Sequence, residues 1–401
     1  MIRKLCISDL LIVIITLTLI NNLNANDNNL PQRLSLEQFI DSTIVNHPEI
    51  KNSQIKIISA TENSNNFLQL KPMEFIYQSG NRFSEMIDRD IEIKQNFGSP
   101  IKWIADNNFN KNLILEKRTE AEILKFQLIS KVKSAYYLCV YESNRIELFK
   151  KLKQSCSLFQ NDSNIISILQ KTILEAKCAD WQSQADMVYN DFLIAKNNLL
   201  QTSYINADVE PNIEELKIIE IDASKDTSIR APGKLIQSNF ENKLLLAKSE
   251  LKTANSKFYP EIMFGYFDQT INKTGGFRGW EVGISIPLIY VPQYKKREEA
   301  LMKIQMANNS LLFEKFNIVR NTDRLYIQLN KLFERLNYYY DFALKQADVL
   351  EETATKEYLG KTINCGEYVQ SIEAAYKIRL DYLDVLNKYN QAAIELELYV
   401  Y

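Results

Sequence analysis

The glycines and prolines of this chain are distributed so unevenly that they outline its architecture. Seven of the ten glycines lie in two short windows, residues 72–100 and 260–287. Pro72 and Pro100 bracket the first window, and Pro260 and Pro287 bracket the second. The corresponding prolines are 188 and 187 residues apart. A repeat at a nearly constant offset indicates an internal duplication. The sequence therefore predicts two similar halves.

The stretches between the windows hold almost no Gly or Pro, which cost a helix interior about 1 and about 3 kcal/mol. Residues 293–358 and 367–398 are predicted as two antiparallel coiled-coil helices, because apolar residues recur mostly at steps of three, four or seven. In the first half, the matching hairpin runs over 103–159, turns near 161–164 and returns to about 204. On the last helix the predicted buried positions are Val369, Ile372, Tyr376, Leu383, Leu386 and Ala393.

Each window instead shows alternation with a period of two, which predicts a strand hairpin. In the first window the apolar series is Met73, Phe75, Tyr77, Ile91, Ile93 and Phe97, with Glu92, Lys94 and Asn96 between members of its second part. The second window repeats the pattern around a turn at Thr274-Gly275-Gly276. Its return strand places Trp280, Val282, Ile284, Ile286, Leu288 and Tyr290 on one face.

Such a strand, with an apolar face closed at both ends by aromatic residues, meets the requirements of a membrane β-barrel, because Trp and Tyr favour the headgroup level. Trp280 and Tyr290 are the predicted aromatic belt. A strand of a soluble β-sandwich explains this one segment equally well. The duplication and the N-terminal segment favour the membrane.

Residues 1–25 have the layout of a secretory signal, in which Arg3 and Lys4 precede an apolar run and cleavage follows Ala25. An uncleaved anchor is the weaker alternative, because the apolar run from Leu10 to Ile20 is short of the ~20 residues that span a bilayer. Beyond the signal, the predicted domains are a first repeat over 26–204, a linker over 205–232 and a second repeat over 233–401.

Four strands cannot close a membrane barrel, since such barrels start at about eight strands. The chain must therefore oligomerise if it inserts. Two copies would give eight strands and a filled interior, whereas three copies would give twelve strands and leave a passage. A homotrimer fits transport better.

The composition argues against an enzyme and against a nucleic-acid-binding protein. His47 is the only histidine and its place beside Pro48 is typical of a turn residue, so histidine-based triads and metal sites cannot be assembled within one chain. We expect no catalytic residue, no metal site and no cofactor. With a net charge of −2, the chain has no overall positive electrostatic potential that would attract nucleic acid. Cys156 and Cys178 flank a helix–helix turn and could pair, although two buried unpaired helix residues are the more usual arrangement.

In this order and spacing, several segments resemble the TolC-type outer-membrane efflux proteins. They are residues 34–37 (LSLE), 46–50 (NHPEI), 257–261 (KFYPE), 282–288 (VGISIPL) and 358–361 (YLGK). With the duplication, the resemblance covers nearly all of the mature sequence. The compact length and residues 95–100 (QNFGSP) look closest to the heavy-metal (CzcC-like) branch.

The resemblance implies a mainly α fold with a small β part, in which the two repeats build an α-helical barrel and a trimeric 12-stranded β-barrel. It implies an outer-membrane channel that passively conducts metal ions or small toxic compounds. The implied partners are a periplasmic adaptor and an inner-membrane pump of the resistance-nodulation-division type. The residues expected at the adaptor-docking tip are Tyr358, Gly360, Thr362, Asn364 and Glu367, together with the first-half turn at residues 161–164.

A periplasmic coiled-coil adaptor or structural protein that never inserts is the main alternative. Adaptors usually carry Gly-rich lipoyl-like segments, and the sequence has none. Membrane fractionation distinguishes the two.

Overall fold

The computed structural model describes residues 32–65, 70–81, 87–156, 168–207, 209–220, 232–271, 274–286 and 291–400. Three sequence predictions lie outside these residues, namely the signal over 1–25, the first-half turn at 161–164 and the belt residue Tyr290. Leu288 of the same apolar face lies outside them as well.

Long antiparallel helices form most of the described chain. In chain order they are α1 (Leu36–Asn46), α2 (Pro48–Asn65), α3 (Pro100–Ser155), α4 (Ile168–Ser203), α5 (Pro232–Ser256), α6 (Val291–Tyr338), α7 (Leu344–Leu359) and α8 (Cys365–Val400). A single π-helical turn, Tyr339–Ala343, joins α6 to α7 without a break. Helices α3 and α4 form the hairpin of the first half, and α6, α7 and α8 form that of the second, as the sequence predicts.

Local sequence fixes where the first helices begin. Ser35 caps α1 in a capping box, in which its hydroxyl accepts from Gln38 N while the Gln38 side chain accepts from Ser35 N at 2.8 Å. Pro48 starts α2, where its missing N–H costs nothing. His47 between them is the turn residue that the sequence predicts, and its Nδ1 accepts from Glu49 N at 3.2 Å.

The strands form two sheets. Strands β2 (Glu74–Gly80), β3 (Asp88–Gly98), β5 (Glu261–Ile271) and β6 (Thr274–Ser285) form one antiparallel sheet in the order β2-β3-β5-β6. The two predicted hairpins therefore lie side by side. The turn predicted at 274–276 is wrong, because β6 already begins at Thr274, which pairs with Ile271 of β5. Short strands β1 (Gln32–Leu34) and β4 (Val209–Pro211) pair in parallel, a pairing that the sequence does not predict.

The segment predicted as a linker packs firmly against the helices where the structure describes it. Asn390 of α8 is fully buried, accepts from Ile219 N at 2.9 Å and donates to Lys217 O at 2.8 Å. Asn144 of α3 donates to Glu214 O at 3.3 Å. These contacts fasten the connection between the halves to both helical hairpins.

Two hydrophobic clusters form the core. The larger one joins α1, α3, α4, α6 and α8 around Phe39, Val132, Leu199, Leu325 and Leu396. The second lies toward the turn between α7 and α8 and includes Trp181, Tyr368 and Ile372. All six positions predicted as buried on the last helix are buried. The heptad pattern thus identified the packed side of this helix.

Cys156 and Cys178 form a disulfide between the end of α3 and helix α4. The more usual arrangement of two unpaired cysteines is therefore wrong for this pair, whose Cα atoms lie 6.0 Å apart. Cys139 and Cys365 remain free thiols and are buried.

Candidate functional site

The four-stranded sheet is amphipathic. Its most exposed large apolar side chains share one face, the open face of the sheet. Directly opposite residues of antiparallel strands share a face, and Phe75, Ile93, Tyr266 and Trp280 are such partners in one row across all four strands. Trp280 is 70% exposed, Val282 72% and Ile284 68%. A row of large apolar side chains this exposed indicates contact with an apolar medium or a partner.

A charged pair marks one edge of this apolar face. Two residues beyond Tyr266 along β5, Asp268 lies opposite Arg278, and Arg278 Nε lies 2.9 Å from Asp268 Oδ2. Trp280 borders this pair, with its ring 5.1 Å from that of Tyr266. The aromatic row therefore lies where the apolar surface gives way to charge.

The opposite face of the sheet carries charged side chains, with Ile76, Met263 and Phe267 as apolar residues among them. Lys94 is its central cation, with Nζ 2.6 Å from Glu92 Oε2 and 3.4 Å from Glu281 Oε2. Gln269 donates to Asp90 Oδ2 at 3.2 Å on the same face. These ion pairs run across three strands. The sheet is thus apolar on its open side and charged on the other, which is the reverse of a sheet that covers a soluble core.

All helices that flank the sheet leave it at one end. Strands β2 and β5 run away from this end, and β3 and β6 return to it. Among the helices of the described residues, none is both long and apolar enough to cross a membrane. In the same part of the chain, no three or more His, Cys, Asp or Glu residues are grouped to hold a metal ion.

At the far end of the second helical hairpin, α7 and α8 are joined by a tight turn. Lys361 N donates to Tyr358 O at 3.0 Å and Thr362 N to Glu357 O at 2.9 Å, which together form a Schellman motif. The left-handed residue of this motif is Lys361, with φ 62°, whereas Gly360 has φ −76°. The Thr362 hydroxyl also donates to Glu357 O at 2.9 Å.

The same turn also starts α8 with a capping box. Glu367 N donates to Asn364 Oδ1 at 3.0 Å, and Asn364 N donates to Glu367 Oε2 at 2.9 Å. Tyr358 stacks on the buried ring of Tyr368 with centroids 4.8 Å apart. The structure thus brings all five sequence-predicted tip residues into one turn, and it gives Thr362, Asn364 and Glu367 a role in holding that turn.

Above the turn, one carboxylate of the second half contacts the first half. Glu373 of α8 accepts from Lys177 Nζ at 2.8 Å and from the Trp181 indole N–H at 3.2 Å. The hydrogen bond to Glu373, together with its charge, raises the pKa of Lys177. Farther along, the Tyr141 hydroxyl of α3 donates to Asp384 of α8. Each contact joins the two helical hairpins within one chain.

A second ion-pair group lies between α7 and α8. The Arg379 guanidinium is 2.8 Å from Asp348 Oδ1 and 2.5 Å from Glu351 Oε2. Burial opposes its charge, yet the two carboxylates outweigh burial and raise the pKa of Arg379. This group holds α7 against the antiparallel α8.

Sequence reasoning missed the links at Glu373, Asp384 and Arg379, because charged residues on a helix are by default solvated. Their only signal is a carboxylate or guanidinium beside predicted buried positions. Glu373 follows Ile372, and Arg379 lies three residues after Tyr376.

The fold is that of solved outer-membrane channels. The open state of the Neisseria gonorrhoeae MtrE outer membrane channel matches with a TM-score of 0.74 at 11% identity, over 91% of this chain and 88% of that one. The outer membrane protein VceC of Vibrio cholerae matches with a TM-score of 0.72 at 12% identity, over 90% and 94%. CusC, whose crystal structures concern folding and transmembrane channel formation, matches with a TM-score of 0.72 at 13% identity, over 93% of this chain and 94% of that one.

At such low identity the likeness is one of fold. It confirms the mainly helical architecture with a small β part that the TolC-type resemblance implies. No protein-family model and no curated protein sequence matches the chain.

Proposed function

We propose that this chain is one subunit of a homotrimeric, TolC-type outer-membrane channel, a conduit with no catalytic residue and no cofactor. Substrates would pass from the periplasm to the exterior through a helical tube and a β-barrel. The observation that carries the proposal is the reversed polarity of the sheet, whose open face is apolar while its other face holds the Lys94 ion pairs.

Lipid is the medium that this polarity suits. In a membrane barrel, apolar residues point outward into the bilayer and polar residues line the water-filled interior. Trp280 and Tyr290 would then lie in the aromatic belts at the two interfaces. The outer membrane is the proposed location, with the helices in the periplasm.

The number of subunits follows from the open edges of the sheet. Strands β2 and β6 are the two edges of a four-stranded sheet, and an unpaired edge in lipid leaves backbone groups without hydrogen bonds. If β6 of one subunit pairs with β2 of the next, the ring closes. Three subunits give twelve strands, enough for a passage.

The turn between α7 and α8 is the proposed docking surface for a periplasmic adaptor, which would connect the channel to an inner-membrane pump of the resistance-nodulation-division type. It is supported by its distance from the sheet, since helices α6 and α7 together extend roughly 100 Å at 1.5 Å per residue. Gly360, Thr362, Asn364 and Glu367 are exposed there, and Tyr358 is half-buried.

The proposed cargo is metal ions or small toxic compounds. The heavy-metal branch is proposed from the compact length and from the sequence resemblance at residues 95–100, and the pump would select the cargo. An export channel therefore needs no metal-binding residues of its own.

Three measurements test the proposal. The full-length protein expressed in a Gram-negative host should fractionate with the outer membrane, purify in detergent with the mass of a trimer and conduct ions in a planar bilayer. Recovery in the soluble or inner-membrane fraction would reject the channel and favour the coiled-coil adaptor. A folded monomer without conductance would reject it as well.

A further inference from the structure

The polar face of the sheet has three glycines in the middle of its strands, and each is covered by a neighbour's side chain. Gly279, Gly283 and Gly265 are the directly opposite partners of Phe267, Met263 and Lys94, respectively. A strand interior normally disfavours Gly, which weakens a strand unless something approaches closely. Here the approach is that of the large side chain on the adjacent strand.

The fit of Phe267 over Gly279 is close. A Cβ atom at position 279 would lie 2.5 Å from Cζ and 2.8 Å from Cε1 of Phe267. Carbon atoms in contact are normally about 3.5 to 4.0 Å apart. Only glycine therefore lets the Phe267 ring lie across the backbone of β6.

The other two pairs repeat the arrangement. A Cβ atom at position 283 would lie 2.8 Å from Cε of Met263, and one at position 265 would lie 3.3 Å from Cγ of Lys94. Lys94 is further held by its ion pairs with Glu92 and Glu281. The large side chains of this face thus lie along the sheet instead of standing upright on it.

We propose that Gly265, Gly279 and Gly283 set the bore of the channel by letting Lys94, Met263 and Phe267 lie flat against the barrel wall. The inference rests on the proposed function, in which this face lines the passage. An upright phenylalanine from each of three subunits would narrow that passage, because side chains stand roughly perpendicular to a sheet when nothing holds them down.

A pair of substitutions at one contact tests this inference. In G279A, the added methyl group meets only the far end of the Phe267 side chain. The ring can move by rotating about its side-chain torsions, so the backbone pairing of β5 and β6 should survive. F267A removes the ring. The double variant G279A/F267A then shows whether the effect of the added methyl group requires the Phe267 ring.

The measurement is the conductance of purified trimers in a planar bilayer. Neutral polymers of increasing mass are added on the side of the bilayer that the strand hairpins face. We expect the conductance of G279A to be lower than that of the wild type. We also expect G279A to exclude polymers that are small enough to enter the wild-type channel. F267A should restore both properties in the double variant. G80A is the matched control, because a Cβ atom at Gly80 would meet no atom within 4 Å, and it should behave as the wild type.

Two results would overturn the inference. One is a G279A channel with the polymer cut-off of the wild type, and the other is a loss in G279A that persists in G279A/F267A. If G279A does not assemble, G283A with M263A provides the same comparison, since the clash there involves chiefly the terminal methyl of Met263. A wild-type protein that does not conduct would instead reject the proposed function.

Discussion

Trp181 of the first half donates its indole N–H to Glu373 Oε1 of the second half at 3.2 Å. Trp181 is 1% exposed whereas the Glu373 side chain is 36% exposed, so the donor is buried and the acceptor lies at the edge of the interface. The contact fastens helix α4 to helix α8 above the turn where the proposed adaptor would dock. The two helical hairpins of the chain are therefore coupled by a part-buried polar contact as well as by apolar packing.

The first prediction concerns this contact. E373A should lower the free energy of unfolding by about 1 to 3 kcal/mol, because it leaves a buried donor without a partner. E373Q keeps an acceptor and should lose much less. K177A is the control, since the Lys177 side chain is 40% exposed and an exposed ion pair contributes about 0 to 1 kcal/mol. Chemical denaturation of the purified protein gives these values, and equal losses in E373A and K177A would contradict the role assigned to Trp181.

The second prediction tests which face of the sheet meets lipid. V282K puts a charge on the apolar face and should cost about 2 to 4 kcal/mol if Val282 lies near the middle of the bilayer. S285K puts the same charge on the polar face, opposite Glu261, and should be tolerated. Quantifying each variant in the outer-membrane fraction compares them. Equal recovery of both variants would contradict the assignment of the faces.

A third prediction concerns the left-handed residue of the turn. Lys361 has φ 62°, a conformation that costs a residue with a Cβ atom roughly 1 to 2 kcal/mol relative to glycine. K361G should therefore make the turn between α7 and α8 more stable. N364A should make it less stable by about 1 kcal/mol, because it removes the cap of α8. Hydrogen exchange of the amides at the start of α8 reports both, and faster exchange in K361G would contradict the prediction.

The fourth prediction concerns thiol reactivity. Burial raises the pKa of Cys139 to about 12, and burial also raises the pKa of Cys365. The thiolate is the reactive form, so both thiols should stay protonated and unreactive toward maleimide at pH 8 in the folded protein. Their labelling should stay slow when the pH is raised from about 7 to about 8, a step over which an ordinary thiol becomes clearly more reactive.

Denaturation provides the control for the same experiment. Without reductant, the unfolded chain should label at Cys139 and Cys365, which are free thiols in the part of the chain that the structure describes. With reductant it should also label at Cys156 and Cys178, which form the disulfide. Labelling of Cys156 and Cys178 without reductant would contradict the disulfide.

Much of the fold could be predicted from the sequence, because its main signals are local. The step of two in residues 280–284 and the steps of three, four and seven along α6 and α8 depend only on neighbours in the chain. The duplication required only a comparison of the two halves. Hence the hairpins, the apolar face of β6 and the buried residues of α8 were all predicted, with the bounds of the long helices within a few residues.

The tertiary structure decided the features that depend on distances between residues far apart in sequence. The glycine at position 360 marked the turn, but the backbone places the left-handed conformation on Lys361. The pairing of Cys156 with Cys178 depends on how closely α3 and α4 approach each other. The register that seats Phe267 on Gly279 and the acceptor that Glu373 offers to Trp181 were likewise invisible in the sequence, because periodicity assigns a residue to a face and only packing assigns it a partner.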